Sequence, residues 1–124
     1  MSNTRQVPRD SFSSLDRLLP QPNTVDVTME IVGDEVGDQL EADRVPWHGL
    51  IYDPTNDVIE VSAGERDDQD RVSLRHEIHQ PDKVWLEEVD GAVKSLSIES
   101  GAGPRTILRF HRRSAIGGKG AGAS

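Results

Sequence analysis

The sequence predicts a mostly β protein, α+β by element count, with one short N-terminal helix followed by about six antiparallel strands. Several short runs alternate apolar and polar residues, which is the two-residue period of a half-buried strand. Clusters of Asp, Asn, Gly and Pro separate these runs and favour tight turns. We expect a bent sheet or a partly open small barrel of SH3-like or Sm-like pattern, with the helix covering one open side.

The helix is predicted over residues 9–19. Phe12, Leu15, Leu18 and Leu19 recur at spacings of three and four residues, and Pro20 ends the stretch. A helix this short is unstable alone in water. Its apolar side must therefore pack against the sheet.

The strands begin at Val25, where the apolar period changes to two. Residues 35–45 suit a turn and a short strand about as well as a helical turn, and we assign them to a strand. Residues 47–52 and 58–62 flank a cluster of turn-forming residues at 53–57, which predicts a hairpin. Residues 84–89, 93–100 and 106–110 predict a three-stranded meander, since Asp-Gly between the first two is a strong hairpin signal.

The chain of 124 residues fits one domain. We expect residues 1–7 to be flexible, residues 8–112 to form the β-rich domain, and residues 113–124 to be a disordered tail. This tail is rich in glycine and carries few large apolar groups, so ordering it would cost more entropy than it recovers.

The composition excludes several classes of site. The chain has no cysteine, which excludes disulfides, thiolate nucleophiles and cysteine-ligated zinc. The sequence shows neither a secretory signal nor a run near the roughly 20 apolar residues of a membrane span. We therefore expect a cytoplasmic protein without a membrane partner.

Charge is unevenly distributed along the chain. The formal net charge is −8. Residues 1–103 hold nine Lys/Arg and twenty-two Asp/Glu, a net −13, whereas residues 104–124 hold five Lys/Arg and no acid, a net +5. Nucleic-acid affinity depends largely on cationic contacts, so this acidic body makes nucleic acid an unlikely partner.

Several stretches resemble a family of small bacterial proteins known only as a domain of unknown function. The resemblance spans roughly residues 25–110 and is carried by residues 36–42, 49–54, 57–61, 76–84, 95–98 and 108–110. It implies a single β-rich domain. It implies no activity, substrate, cofactor or catalytic residue.

His76 and His79 form the one pairing that resembles a metal motif. Two histidines that share a metal on a helix stand four residues apart, whereas these stand three apart in a run that reads as a strand. On a strand, His76 shares a face with Leu74 and Ile78, and His79 points to the other face. We therefore expect partly buried or strand-end histidines rather than metal ligands.

Four residues are candidates for a binding surface. Trp47 and Tyr52 are large aromatic residues, which are favoured at interfaces as well as in cores. Arg105 and Arg109 share a strand face at the basic end of the chain, where they could contact an acidic partner or pair with acids across the sheet.

The sequence contains no catalytic motif or cofactor fingerprint, so no cofactor is expected. The favoured hypothesis is a non-enzymatic interaction module that binds a protein partner or self-associates through sheet edges or an aromatic face. One alternative is a nucleic-acid-binding small barrel that uses residues 105–113. The other is a metal-dependent enzyme centred on His76 and His79.

Overall fold

One open antiparallel sheet dominates the computed structural model, which describes residues 1–33, 37–66, 69, 72–101 and 103–113. A 3₁₀ helix, Arg9–Leu18, follows the first strand. Within the described residues the strands are β1 (Ser2–Val7), β2 (Val25–Gly33), β3 (Gly37–Asp53), β4 (Val58–Arg66), β5 (Val72–His79), β6 (Pro81–Val89), β7 (Ala92–Ser100) and β8 (Arg105–Arg112). They are arranged in the order β1-β6-β7-β8-β2-β3-β4-β5.

The mostly β class is confirmed, but the predicted number of about six strands is wrong. The described residues form eight strands, and β1 and β5 are the two edges of the sheet. Because these edges do not pair with each other, the sheet remains open and does not match the predicted SH3-like or Sm-like barrel in detail.

β1 occupies the segment that was predicted to be flexible. Ser2–Val7 pairs antiparallel with β6, from Ser2 opposite Val89 to Val7 opposite Val84. Val7 is buried, whereas residues 1–6 are exposed. The strand is held by backbone pairing, which leaves almost no hydrophobic pattern in the sequence. The predicted tail, by contrast, lies outside the described residues from 114 onward.

The helix lies where it was predicted but has 3₁₀ geometry. It is kinked at Ser14 (φ −114°, ψ 16°), whose hydroxyl donates to the Ser11 carbonyl at 3.2 Å. Phe12, Leu15 and Leu18 recur every three residues, the period of a 3₁₀ helix. Phe12 and Leu15 are buried in the core, so tertiary packing stabilises this short helix.

β3 unites residues 37–45, part of the segment 35–45 that the sequence assigns to a strand, with the first strand of the predicted hairpin. Residues 35 and 36 lie outside the described residues. The β3 residues up to Pro46 pair with β2, and those from Trp47 onward pair with β4. Arg44 has a positive φ of 54° within a shift of register against β2, as in a β-bulge. The sheet therefore changes direction along β3.

A single residue, Gln80, connects β5 to β6. Since β5 is one edge and β6 lies beside the other edge, the two ends of the sheet must approach each other here, and the sheet is bent. The Gln80 N–H donates to the Asp57 carbonyl at 2.9 Å, and the Gln80 carbonyl accepts from Gly101 at 3.1 Å.

The predicted turns are confirmed. β3 and β4 form a hairpin, and β6, β7 and β8 are consecutive in the sheet. Asp90 and Gly91 between β6 and β7 have positive φ values of 53° and 83°, as a type I′ turn requires. The bent sheet encloses one core, formed by Val7, Phe12, Leu15, Leu19, Val27, Met29, Trp47, Leu50, Ile59, Val61, Ala63, Ile78, Val84, Leu86, Leu96, Ile98, Leu108 and Phe110.

Replacing Leu15 with alanine should lower the free energy of unfolding by about 2–5 kcal/mol, because the side chain is fully buried and its removal leaves a cavity. Urea denaturation measures this change. Ser13→Ala is the matched control, since Ser13 is an exposed residue of the same helix, and it should change stability by less than about 0.5 kcal/mol. Equal effects of the two substitutions would show that the helix is not held by the core.

Candidate functional site

On the outer face of β3–β5, the apolar residue Ile51 lies beside two carboxylates. Ile51 lies opposite Glu60 of β4, which lies opposite Glu77 of β5. Strand alternation directs Leu50 and Tyr52 toward the core and Ile51 outward. Ile51 is 62% exposed.

Two open concavities meet at Ile51. The first, of about 450 Å³, lies between β3–β4 and the segment at the end of the helix. The second, of about 430 Å³, extends toward the β3–β4 hairpin and the end of β5. Both are lined by Ile51 and Glu60, so the two concavities adjoin at these side chains and are treated together. We call it the Ile51 groove; its lining residues are Asp16, Arg17, Leu19, Pro20, Gln21, Pro22, Trp47, His48, Gly49, Leu50, Ile51, Asp53, Asn56, Val58, Glu60, Ser62, Glu77 and His79.

The wall of the Ile51 groove beside the helix is fixed by Trp47. The Trp47 indole N–H donates to the Pro20 carbonyl at 3.0 Å, and the Trp47 carbonyl accepts from the Asn23 N–H at 2.7 Å. These two hydrogen bonds hold residues 20–23 against β3. The groove is therefore formed in the free protein, which lowers the entropic cost of binding.

The charge of the Ile51 groove is negative. Among its described lining residues are four carboxylates and one guanidinium, that of Arg17; the carboxylates belong to Asp16, Asp53, Glu60 and Glu77. An exposed apolar side chain beside several carboxylates favours a ligand that carries both apolar groups and positive charge.

The β3–β4 hairpin at one end of the Ile51 groove is held by two aspartates. Asp53 accepts from the Thr55 N–H at 3.0 Å and the Asn56 side-chain amide at 2.8 Å, and the hydrogen bond from the Asn56 side chain lowers the pKa of Asp53. Asp57 accepts from the Tyr52 hydroxyl at 2.7 Å and from Arg9 at 2.9 Å. These contacts give both aspartates a structural role in the turn.

Trp47 and Tyr52 do not form the exposed aromatic patch that was considered from the sequence. Trp47 is completely buried and packs edge-on against Phe110, with ring centroids 5.0 Å apart. Tyr52 is half-buried and contacts Phe12 edge-on at 5.6 Å. The chain has few aromatic residues, and both of these pack in or against the core. The exposed residue of this part of β3 is Ile51, which lies between them in sequence.

His76 and His79 are not brought together. His76 lies opposite Val61, a core residue, whereas His79 lies opposite Val58 and contacts Glu77 at 3.4 Å. The predicted divergence of the two side chains follows from this register. Burial lowers the pKa of His76, and the negative charge of Glu41 partly opposes this shift. Within the described ranges, no group of three or more His, Asp or Glu residues is arranged to hold a metal ion.

Arg105 and Arg109 are both exposed on one face of β8. Arg109 forms an ion pair with Glu30, and Arg105 lies opposite Glu99 of β7. Arg113 contacts Asp26 at 3.4 Å. These acids offset the positive charge of the basic end, which weakens the case for nucleic acid as its partner.

The chain matches a family of unknown function, DUF5335, over residues 3–118. The chain belongs to this family. A relative from Aquifex aeolicus (strain VF5), described as an uncharacterized protein, is 34% identical over 111 residues, which cover 86% of this chain and 91% of the relative. No solved structure matches the chain. Among the described residues, no helix has the length and apolar character needed to cross a membrane.

The acid stability of this family member should depend on Asp57. The hydrogen bond from Tyr52 is the main cause that lowers the pKa of Asp57, so its carboxylate stabilises the fold above the unfolded-state pKa. That stabilisation is lost as the pH falls through the folded-state pKa. The free-energy difference between the wild type and Asp57→Asn should therefore be largest near neutral pH and shrink below about pH 4.

Urea unfolding over this pH range measures the effect. Asparagine tolerates the positive φ of 55° at position 57, so the substitution mainly removes the charge. Tyr52→Phe is the companion variant, and it should reduce the same pH dependence because it removes the principal hydrogen bond to Asp57. A difference between wild type and Asp57→Asn that is constant with pH would contradict this assignment.

Proposed function

We propose that the protein is a non-enzymatic interaction module that binds an extended, cationic and partly apolar segment of a partner protein in the Ile51 groove. The observation that carries the proposal is the exposure of Ile51 between two adjoining concavities. Ile51 supplies the apolar anchor of this interaction, and burial of such a side chain contributes about 1.5–3 kcal/mol.

The charge of the groove supports a cationic ligand. Glu60 lies directly beside Ile51 in the sheet, and Asp16 lines the same concavity from the helix. A lysine or arginine of the bound segment can pair with these carboxylates while a neighbouring apolar side chain contacts Ile51. The two adjoining concavities are open, which suits an extended chain better than a compact small molecule, since small-molecule sites bury most of the ligand surface.

Ile51→Ser should weaken binding of a short fluorescent peptide in which lysine and leucine alternate by about tenfold or more, because the substitution removes the apolar anchor. Fluorescence anisotropy at low ionic strength measures the affinity. A peptide in which glutamate replaces lysine should bind much more weakly to the wild type, since it would meet the carboxylates of the groove.

Leu40→Ser is the matched control. Leu40 is 58% exposed, close to the 62% of Ile51, but lies on the half of β3 that pairs with β2. This substitution should leave peptide affinity unchanged within about twofold. Equal losses for Leu40→Ser and Ile51→Ser, or equal binding of the two peptides by the wild type, would refute binding in the Ile51 groove.

Glu60→Gln tests the charge separately from the apolar anchor. The substitution should weaken binding of the lysine-containing peptide by about threefold and make its affinity less dependent on salt, because one carboxylate is lost without a change in side-chain shape. Anisotropy titrations at two salt concentrations measure both quantities. An unchanged affinity and salt dependence would show that Glu60 does not contact the cationic groups.

A further inference from the structure

The edge strand β5 has a charge pattern that complements itself. Arg75 and Glu77 point to the outer face on either side of His76, because strand alternation directs residues 75 and 77 to the same face. Arg75 and Glu77 are both exposed. β5 pairs with β4 along one side and is the edge of the sheet on the other.

We infer that two copies of the protein associate by antiparallel pairing of their β5 edges, with the two-fold axis at His76. In this register Arg75 of each copy lies opposite Glu77 of the other, and Leu74 lies opposite Ile78. Opposite charges placed directly across two antiparallel strands attract each other. The dimer thus contains two equivalent Arg75–Glu77 pairs and extends the sheet across the two copies.

Neighbouring registers lack this complementarity. A two-fold axis perpendicular to the joined sheet keeps the outer faces of the two copies on the same side. In the neighbouring registers this axis passes through position 75 or position 77. The first places Arg75 opposite Arg75, and the second places Glu77 opposite Glu77. Like charges directly opposite each other are unfavourable, so the strand sequence selects the register centred on His76.

The free protein leaves these groups available. Arg75 is exposed and has no ion pair among the described residues. Glu77 contacts His79, but their side chains are 56% and 67% exposed, so Glu77 can exchange this contact for the arginine of a second copy. The pairing covers residues 74–78 and stops before His79, whose carbonyl accepts a hydrogen bond from Ser100 at 2.8 Å.

The other edge, β1, offers no such pattern. Its charged side chain is that of Arg5, which lies 3.9 Å from Glu88 of β6. Since β1 contains no acidic residue, self-pairing of this strand cannot place opposite charges across from each other. Self-association is therefore assigned to β5. Glu77 of β5 also lines the Ile51 groove, but Arg75 does not, so a loss of dimer in Arg75→Glu is separate from any effect on ligand binding in the groove.

Sedimentation equilibrium of the full chain, from micromolar to millimolar concentration, tests the inference through charge reversal. The wild type should dimerise, and Arg75→Glu and Glu77→Arg should each raise the dissociation constant by about tenfold, since each creates two like-charged pairs. The double variant Arg75→Glu/Glu77→Arg should return to within about threefold of the wild type. A monomeric wild type, or a double variant no tighter than the single variants, would overturn the inference.

Cysteine cross-linking tests the register itself, because the chain has no cysteine of its own. His76→Cys places two thiols across the two-fold axis with Cα atoms about 4.5–5.5 Å apart, within the range that a disulfide spans. It should form a covalent dimer under mild oxidation. Ser73→Cys is the matched control, since its two copies would lie about 20 Å apart along the paired strands.

The pattern of cross-linking distinguishes specific pairing from random collision. Efficient cross-linking of His76→Cys with little from Ser73→Cys supports the register. Equal cross-linking of both variants, or none from either, contradicts it. Arg5→Glu on β1 should leave the dissociation constant unchanged within about twofold, and a loss of dimer in that variant would place the interface at β1 instead of β5.

Discussion

The packing of Trp47 is the interaction on which the arrangement of the molecule depends. Trp47 is fully buried at the point where β3 leaves β2 and begins to pair with β4. Its ring packs against Phe110 of β8, and its indole and carbonyl bind the segment after the helix. A single side chain therefore links the bend of the sheet, the core and the wall of the Ile51 groove.

The bend also explains why the protein has a groove and a free edge. Because β3 is shared between two halves of the sheet, residues 47–53 are left without β2 as a neighbour, and the helix packs beside them. The outer face of β3–β5 then lies next to the segment 20–23 instead of forming a plain sheet surface. The same topology leaves β5 as an edge whose second side is unpaired by any described strand.

Part of the candidate site was accessible from the sequence. The alternation through residues 50–52 shows that Ile51 points to one face of the strand and its two neighbours to the other. Unbroken alternation would also place Trp47 on the same face as Ile51. What the alternation leaves open is which face is covered. The register shift between Trp47 and Gly49 decides it, because it directs both Trp47 and Leu50 toward the core and leaves Ile51 on the outer face. The divergence of His76 and His79, in contrast, depends only on strand geometry.

By itself, the sequence determined the local elements: the helix near residues 9–19, the turn at 53–57 and the meander that begins at residue 84. The spacing of apolar residues and the preferences of turn-forming residues depend on near neighbours in the sequence, so they can be recognised before the fold is known. Only the tertiary structure decided that residues 2–7 form β1, that β3 is continuous through Pro46, and that β5 is an edge. These features depend on backbone pairing between distant segments, which leaves little trace in the residues of any one segment.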